Sequence, residues 1–153
     1  MEQLDAKDIE ILSILQEDAT LTTKELASKV HLSTTPVFER VKRLEREGYI
    51  RKYAAILDAD KLGKGFIVYC SVRLLRMGKD TAEDFVLKVK GIPEVTECYN
   101  ISGEYDYLMK VHAPNMKYYQ QFLINVIGTI GSVGSVQSTF VMQEIKQSYS
   151  LSL

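Results

Sequence analysis

Hydrophobic positions change period along the chain. Over the first fifty residues they recur at helical spacing in three sets: Ile9, Leu12 and Leu15; Leu26, Ala27 and Val30; Val37, Val41 and Leu44. Each set is the buried stripe of a short helix, which predicts helices over roughly 5–17, 23–30 and 34–47. The start signals agree. Asp5 and Asp8 bracket a first turn, with Leu4 and Ile9 placed as a hydrophobic staple, and Thr22 with Glu25 has capping-box spacing, flanked by Leu21 and Leu26. Ser33, Thr34 and Thr35 all suit an N-terminal cap, Pro36 is tolerated in a first turn, and Gly48 supplies the stop. Two short helices joined by Val30-His31-Leu32-Ser33 make a helix-turn-helix, and three helices make a winged-helix-like or plain trihelical unit.

Beyond Gly48 the pattern belongs to strands. Tyr49 to Leu57 is rich in strand formers and reads as an extended hinge strand, leading into the polar boundary Asp58 to Gly63. Phe66 to Leu74 is a strand. Asp80 with Glu83 caps a helix that carries Phe85 and Val89 and stops at Gly91-Ile92-Pro93. Val95 to Ile101 and Tyr105 to Val111 form a hairpin about Ser102-Gly103-Glu104. Asn115 caps a helix with Tyr119, Phe122, Leu123, Val126 and Ile127 inward, and Gln137 to Lys146 is the last strand. The order βαββαβ is that of the ferredoxin-like fold, so the class is α+β. The predicted domains are a helix-turn-helix unit over 1–50, a hinge strand and linker over 51–63, and a ferredoxin-like domain over 64–153. In the first strand Phe66, Val68, Cys70, Val72 and Leu74 point one way while Ile67 and Tyr69 point the other. Neither face alternates to polar as a solvated sheet should. The open face is expected to be an interface, and a two-fold dimer built there would carry two helix-turn-helix units, as half-sites on DNA require.

Charge sharpens this reading. From Ser33 to Lys52 there are six bases (Arg40, Lys42, Arg43, Arg46, Arg51, Lys52) against three acids (Glu39, Glu45, Glu47), in a chain of net charge -1 and pI near 6.1. A charged helix face is usually just solvated, but the capped helix-turn-helix spacing turns this one into a candidate major-groove reader of double-stranded DNA. Ser33, Thr34, Thr35, Val37, Phe38 and Arg40 are expected near the groove, with Lys42, Arg43 and Arg46 on phosphates. No apolar run approaches the ~18 residues of a membrane span, and the N-terminus lacks the regions of a signal peptide. Cys70 and Cys98 have no disulfide or metal spacing and are expected to be buried free thiols, and His31 and His112 have no zinc partners. No phosphate loop, nucleophile elbow or paired catalytic carboxylate is visible, so neither enzyme activity nor a cofactor or metal is expected. The alternative is a small enzyme or metabolite-binding protein on a ferredoxin-like scaffold with a helical partner-binding appendage.

Three segments carry a family resemblance: LSTTPVFERVKRLEREGYI, SGEYDYLMKV and VMQEIKQS. On these the chain resembles the Lrp/AsnC family of transcriptional regulators along nearly its whole length. The resemblance implies a cytoplasmic, nucleoid-associated DNA-binding protein whose regulatory domain dimerises, often on to an octamer of four dimers. It also implies an amino-acid effector, such as leucine, held between dimers in a cleft formed by the Gly103 loop and the start of the last strand. Physically, an amino acid needs closely approaching backbone N–H groups plus an acid. Asn100, Ser102, Gly103 and Asp106 supply that set, though a plain hairpin turn with a solvated Asp106 accounts for them equally. By resemblance Gly103 and Asp106 match the effector-loop motif, and Met116, Gln137 and Thr139 are expected to face the same cleft. Where the family commonly shows a Gly-Val pair and two threonines, this chain has Ser132-Val133, Val136 and Ser138.

Overall fold

The computed structural model describes residues 3–153 and divides into two compact units. One comprises the chain up to Ile56 together with Lys146–Leu153, and the other is Leu57–Ile145.

The first unit packs α1 (Ala6–Glu17), α2 (Thr23–Lys29) and α3 (Thr34–Arg46). Ile11, Leu26, Ala27, Val30, Val37 and Leu44 close its core, with Leu4, Leu12, Leu15, Val41 and Ile50 packed around them. Both capping boxes form. Asp5 accepts from the Asp8 N–H as Asp8 accepts from the Asp5 N–H, and Thr22 and Glu25 reciprocate in the same way. Helix α2 ends in a Schellman turn. The Leu32 N–H reaches the Ala27 carbonyl at 3.0 Å, and His31 takes a left-handed φ of 56°. Lys7 Nζ donates to the Val30 carbonyl at 2.7 Å, placing a cation on that helix end. The last residues lie with this unit rather than with the sheet domain to which 64–153 was assigned. The Gln16 carboxamide donates to the Leu151 carbonyl at 2.8 Å and accepts the Leu151 N–H at 2.9 Å, a pairing that a reading of strand periodicity cannot reveal.

The second unit is a four-stranded antiparallel sheet, order β2-β3-β1-β4, from β1 (Phe66–Leu74), β2 (Val95–Asn100), β3 (Tyr107–Ala113) and β4 (Val133–Phe140). Helices α4 (Lys79–Val89) and α5 (Met116–Asn125) complete βαββαβ and are packed on one face. Val68, Cys70, Val72, Met109, Val111 and Ala113 are buried there against Phe85, Val89, Tyr119 and Phe122. On the opposite face lie Ile67 and Tyr69 with their cross-strand partners His112 and Lys110.

Four expectations are corrected. No strand forms over Tyr49 to Leu57: Tyr49 and Ile50 pack against the trihelical core, while residues 51–57 are exposed and join no ladder among the described residues. β4 runs from Val133 to Phe140, earlier than Gln137 to Lys146, because Gly134 lets the strand lie against Leu74 and Leu75 at a register shift in β1. α4 is capped by Gly78 without a side-chain bond, so Asp80 sits in the first turn instead of at the cap. Cys70 is buried, but Cys98, on the edge strand β2, is exposed.

Candidate functional site

The outward face of α3 is a single stripe. Thr34, Thr35, Phe38, Lys42 and Arg46 are all exposed, and their near i, i+4 spacing stacks them along one side. Ser33, the N-cap, is exposed and makes no side-chain cap bond, which leaves its hydroxyl open to a ligand. Phe38 is half exposed, an unusual position for a large apolar side chain, and Lys42 Nζ lies 5.8 Å from its ring centroid while pairing with Glu45 at 2.7 Å. Tyr53 donates to the other Glu45 oxygen at 3.0 Å and so tethers the start of the linker to α3. Burial and that carboxylate hold the Tyr53 phenol up at about 12.

The remaining named residues of α3 turn inward. Val37 is fully buried in the trihelical core, so it supports the stripe and cannot touch a base edge. Arg40 donates to Asp5 and to Asp8, each at 2.7 Å, and Arg43 donates to the other Asp8 oxygen. Asp8 is itself buried. Burial alone would raise its pKa, yet the Asp5 backbone N–H, Arg40 and Arg43 outweigh it and hold the carboxyl below the usual range. The same contact raises the Arg40 pKa, principally through Asp8. Arg40 and Arg43 thus lock α1 against α3. The spacing held this signal, since two acids three apart on one helix match two arginines three apart on another, but the sequence does not show which pairs meet.

In the second unit the hairpin loop is built around Asp106. Its N–H donates to the Val72 carbonyl at 2.9 Å and its carboxylate accepts the Leu74 N–H at 2.7 Å. Asn100 Nδ2 donates to the Asp106 carbonyl at 2.9 Å. Asp106 is therefore tied into the edge of β1 and is not a solvated turn residue. Ser102 and Gly103 are exposed, and Gly103 has φ 115°, a left-handed value that favours glycine. Gln137 and Thr139 pair with Ser71 and Tyr69, which puts them on the open face of the sheet. Met116 follows the opposite end of β3. The ladder from Val72–Tyr107 to Phe66–Ala113 spans six steps, roughly 20 Å at strand spacing. One chain thus brings Asn100, Ser102, Gly103 and Asp106 together with Gln137 near them, and leaves Met116 far off. Ser138 and Val136 pair with Cys70 and Val72 and face the helices. Ser138 Oγ lies 2.6 Å from the buried Tyr119 hydroxyl, which also meets Cys70 Sγ at 2.9 Å.

A capped trihelical head with an exposed stripe carrying Lys42 and Arg46, in one chain with a ferredoxin-like domain that has an exposed glycine loop, defines a helix-turn-helix regulator with a ligand-binding domain. Residues 4–51 match the winged helix-turn-helix DNA-binding family, and residues 67–151 match the Lrp/AsnC ligand binding domain. The chain is 37% identical over 148 residues to the leucine-responsive regulatory protein of Escherichia coli, covering 97% of this chain and 90% of the relative. Among solved structures it is similar to a transcriptional regulator from Neisseria meningitidis in complex with L-Met, with TM-score 0.94, 38% identity and coverage of 98% and 97% of the two chains. It is similar also to an AsnC family transcriptional regulator from Agrobacterium tumefaciens, with TM-score 0.92, 38% identity and 97% coverage of each. The chain belongs to the Lrp/AsnC family of transcriptional regulators. No helix among the described residues is long and apolar enough to cross a membrane.

Proposed function

We propose that the chain acts in the cytoplasm, on the nucleoid, as a homodimer or a higher assembly such as an octamer, reading double-stranded DNA with the exposed stripe of α3. The observation that carries this reading is the division of α3 itself. Val37 is buried, and Arg40 and Arg43, partly exposed, are engaged by Asp8, while Ser33, Thr34, Thr35, Phe38, Lys42 and Arg46 are exposed. Hydroxyls at the helix start and Phe38 suit base edges and thymine methyls, and Lys42 and Arg46 suit phosphates. A free amino acid such as leucine or methionine is the proposed effector. The resemblance to a regulator solved with L-Met supports this class, as does the glycine loop at Gly103 backed by Asp106. Because Met116 lies at the other end of β3, a cleft using all seven named residues requires more than one chain. The effector would act by binding one assembly or DNA-binding state better than another, a coupling of about 1 to 3 kcal/mol.

The test is a mobility-shift titration across salt concentrations. Lys42→Ala and Arg46→Ala should each weaken binding to every DNA sequence and flatten the salt slope by about one unit. Phe38→Ala should instead change the preference between sequences. Unchanged affinity and slope in both cation variants would remove the stripe from the interface.

A further inference from the structure

The second unit holds a cavity of about 340 Å³ between α4 and the edge strand β2. Its volume is at the small end of the range of about 300 to 1,000 Å³ for ligand sites. Val86 and Val89 of α4 and Val95 of β2 give it apolar walls. Cys98 lines it as well and pairs with the buried Met109, which turns its thiol to the helix side of the sheet. Tyr107 is the group that these walls leave unsatisfied. It is only 6% exposed, its ring packs on Phe85 with 4.5 Å between centroids, and its hydroxyl makes no hydrogen bond among the described residues. A buried tyrosine hydroxyl ordinarily finds a partner. Burial, with smaller effects from Cys98 and Asp106, raises the phenol above its ordinary value, so that it remains an O–H donor at neutral pH. Partial enclosure raises the Cys98 thiol in the same way and keeps it uncharged. At the mouth one charge is unmatched. Lys90, the C-cap of α4, closes no ion pair among the described residues. Glu97, the acid among the lining residues, is already engaged by Lys110 at 3.4 Å and by the Tyr99 hydroxyl at 2.8 Å. The Lys88 and Val89 carbonyls accept from the Gly91 and Ile92 N–H groups, so this helix end presents a cation in place of open acceptors.

We propose that this cavity binds a free monocarboxylate of the short-chain fatty-acid class, its chain against Val86, Val89 and Val95 and its carboxylate held by Tyr107 and Lys90. The Tyr107 hydroxyl donates to the carboxylate, and Lys90, on a flexible stem, neutralises it. The apolar chain covers valine surface that would otherwise face water. An amine of the same chain would meet Lys90 as a like charge. A zwitterion would bring in an ammonium for which the lining residues hold no uncommitted acid, so the site selects a simple anion against an amino acid.

This inference goes beyond the effector reading, which concerns amino acids at the Gly103 loop. Leucine titration tests that reading and hexanoate titration tests this one, so either can fail alone. Alkylation of the full chain by iodoacetamide reports on the cavity directly, because Cys98 is exposed and Cys70 is buried. Saturating hexanoate should slow Cys98 alkylation at least fivefold, whereas hexylamine, with the same chain and the opposite charge, should leave the rate unchanged. Calorimetry should give one hexanoate per chain, bound at least tenfold more tightly than butanoate, since each covered methylene contributes about fourfold. Tyr107→Phe keeps the ring on Phe85, and Lys90→Met keeps an apolar stem at an exposed position. Each should weaken hexanoate about tenfold. Absence of hexanoate binding, binding that both variants leave unchanged, or equal protection of Cys98 by hexylamine would overturn the site.

Discussion

Asp8 concentrates the first unit's electrostatics in one buried carboxylate. It closes the capping box of α1 and receives Arg40 and Arg43 from α3. A buried charge stripped of its partners is costly, and partners stripped of their charge fare little better. Asp8→Asn should therefore cost about 2 to 3 kcal/mol in urea denaturation, as expected when a buried, charge-assisted network is broken. The pH dependence has a definite sign. The carboxyls of Asp5 and Asp8 titrate lower in the folded chain than in the unfolded one. Their contribution is complete above the ordinary carboxylate value of about 4 and disappears as pH falls through the folded values. Wild-type stability should drop in that acid window, while Asp8→Asn, already weakened, should show a flatter profile. Equal slopes would show that Asp8 is not the acid-sensitive node. His31 offers a gain in the opposite direction. It occupies a left-handed position at which a β-carbon is strained, so His31→Gly should raise stability by about 1 kcal/mol.

At the level of elements, what could be read from the sequence depended on how local the determinant is. Capping boxes at Asp5 and Thr22, the Asn115 cap and the stripes of α2 and α3 rest on residues within a turn of one another and form, whereas α1 turns Ile11 fully into the core and leaves Leu12 and Leu15 of the expected stripe Ile9, Leu12 and Leu15 only partly buried. The strand Tyr49 to Leu57 and the start of β4 were misplaced because a strand is completed by a neighbour. Tyr53 and Ile56 favour strands, but residues 51–57 pair with no strand among the described residues. β4 begins where Gly134 can approach the backbone of Leu74 and Leu75, with a built β-carbon meeting Leu75 Cα at 3.0 Å. Gly134→Val should accordingly force this edge apart and cost about 1 to 3 kcal/mol, read as a lower melting temperature. The candidate site divides along the same line. The exposed stripe of α3 follows from helix periodicity alone. Whether a given arginine on that helix meets DNA or Asp8 depends on a second helix, and the sequence leaves that undetermined.

For the whole molecule the proposed dimer rests on the open face of the sheet. Ile67, Tyr69 and Leu108 lie on it half-buried, beside Lys110, which is only 7% exposed and sits 3.4 Å from Glu97. A lysine so nearly desolvated on a face without helices has its aliphatic stem covered by apolar neighbours and its charge matched by a single acid. That composition, an apolar centre with one internally matched charge pair, is what a self-complementary two-fold contact needs, since each copy presents the same patch to the other. Ile67→Glu places a carboxylate at the centre of that patch, where two copies would bury like charges against each other. The helix-side core beneath stays intact, because Val68 and Cys70 point the other way. Light scattering should then give a mass near the 17.4 kDa of one chain, with the melting transition of a folded protein retained. DNA affinity should fall at the same time, because two half-sites would no longer be held by one particle. An Ile67→Glu chain that kept the wild-type mass would show that the copies meet on some other surface, and the pairing of reading heads through this sheet would have to be abandoned.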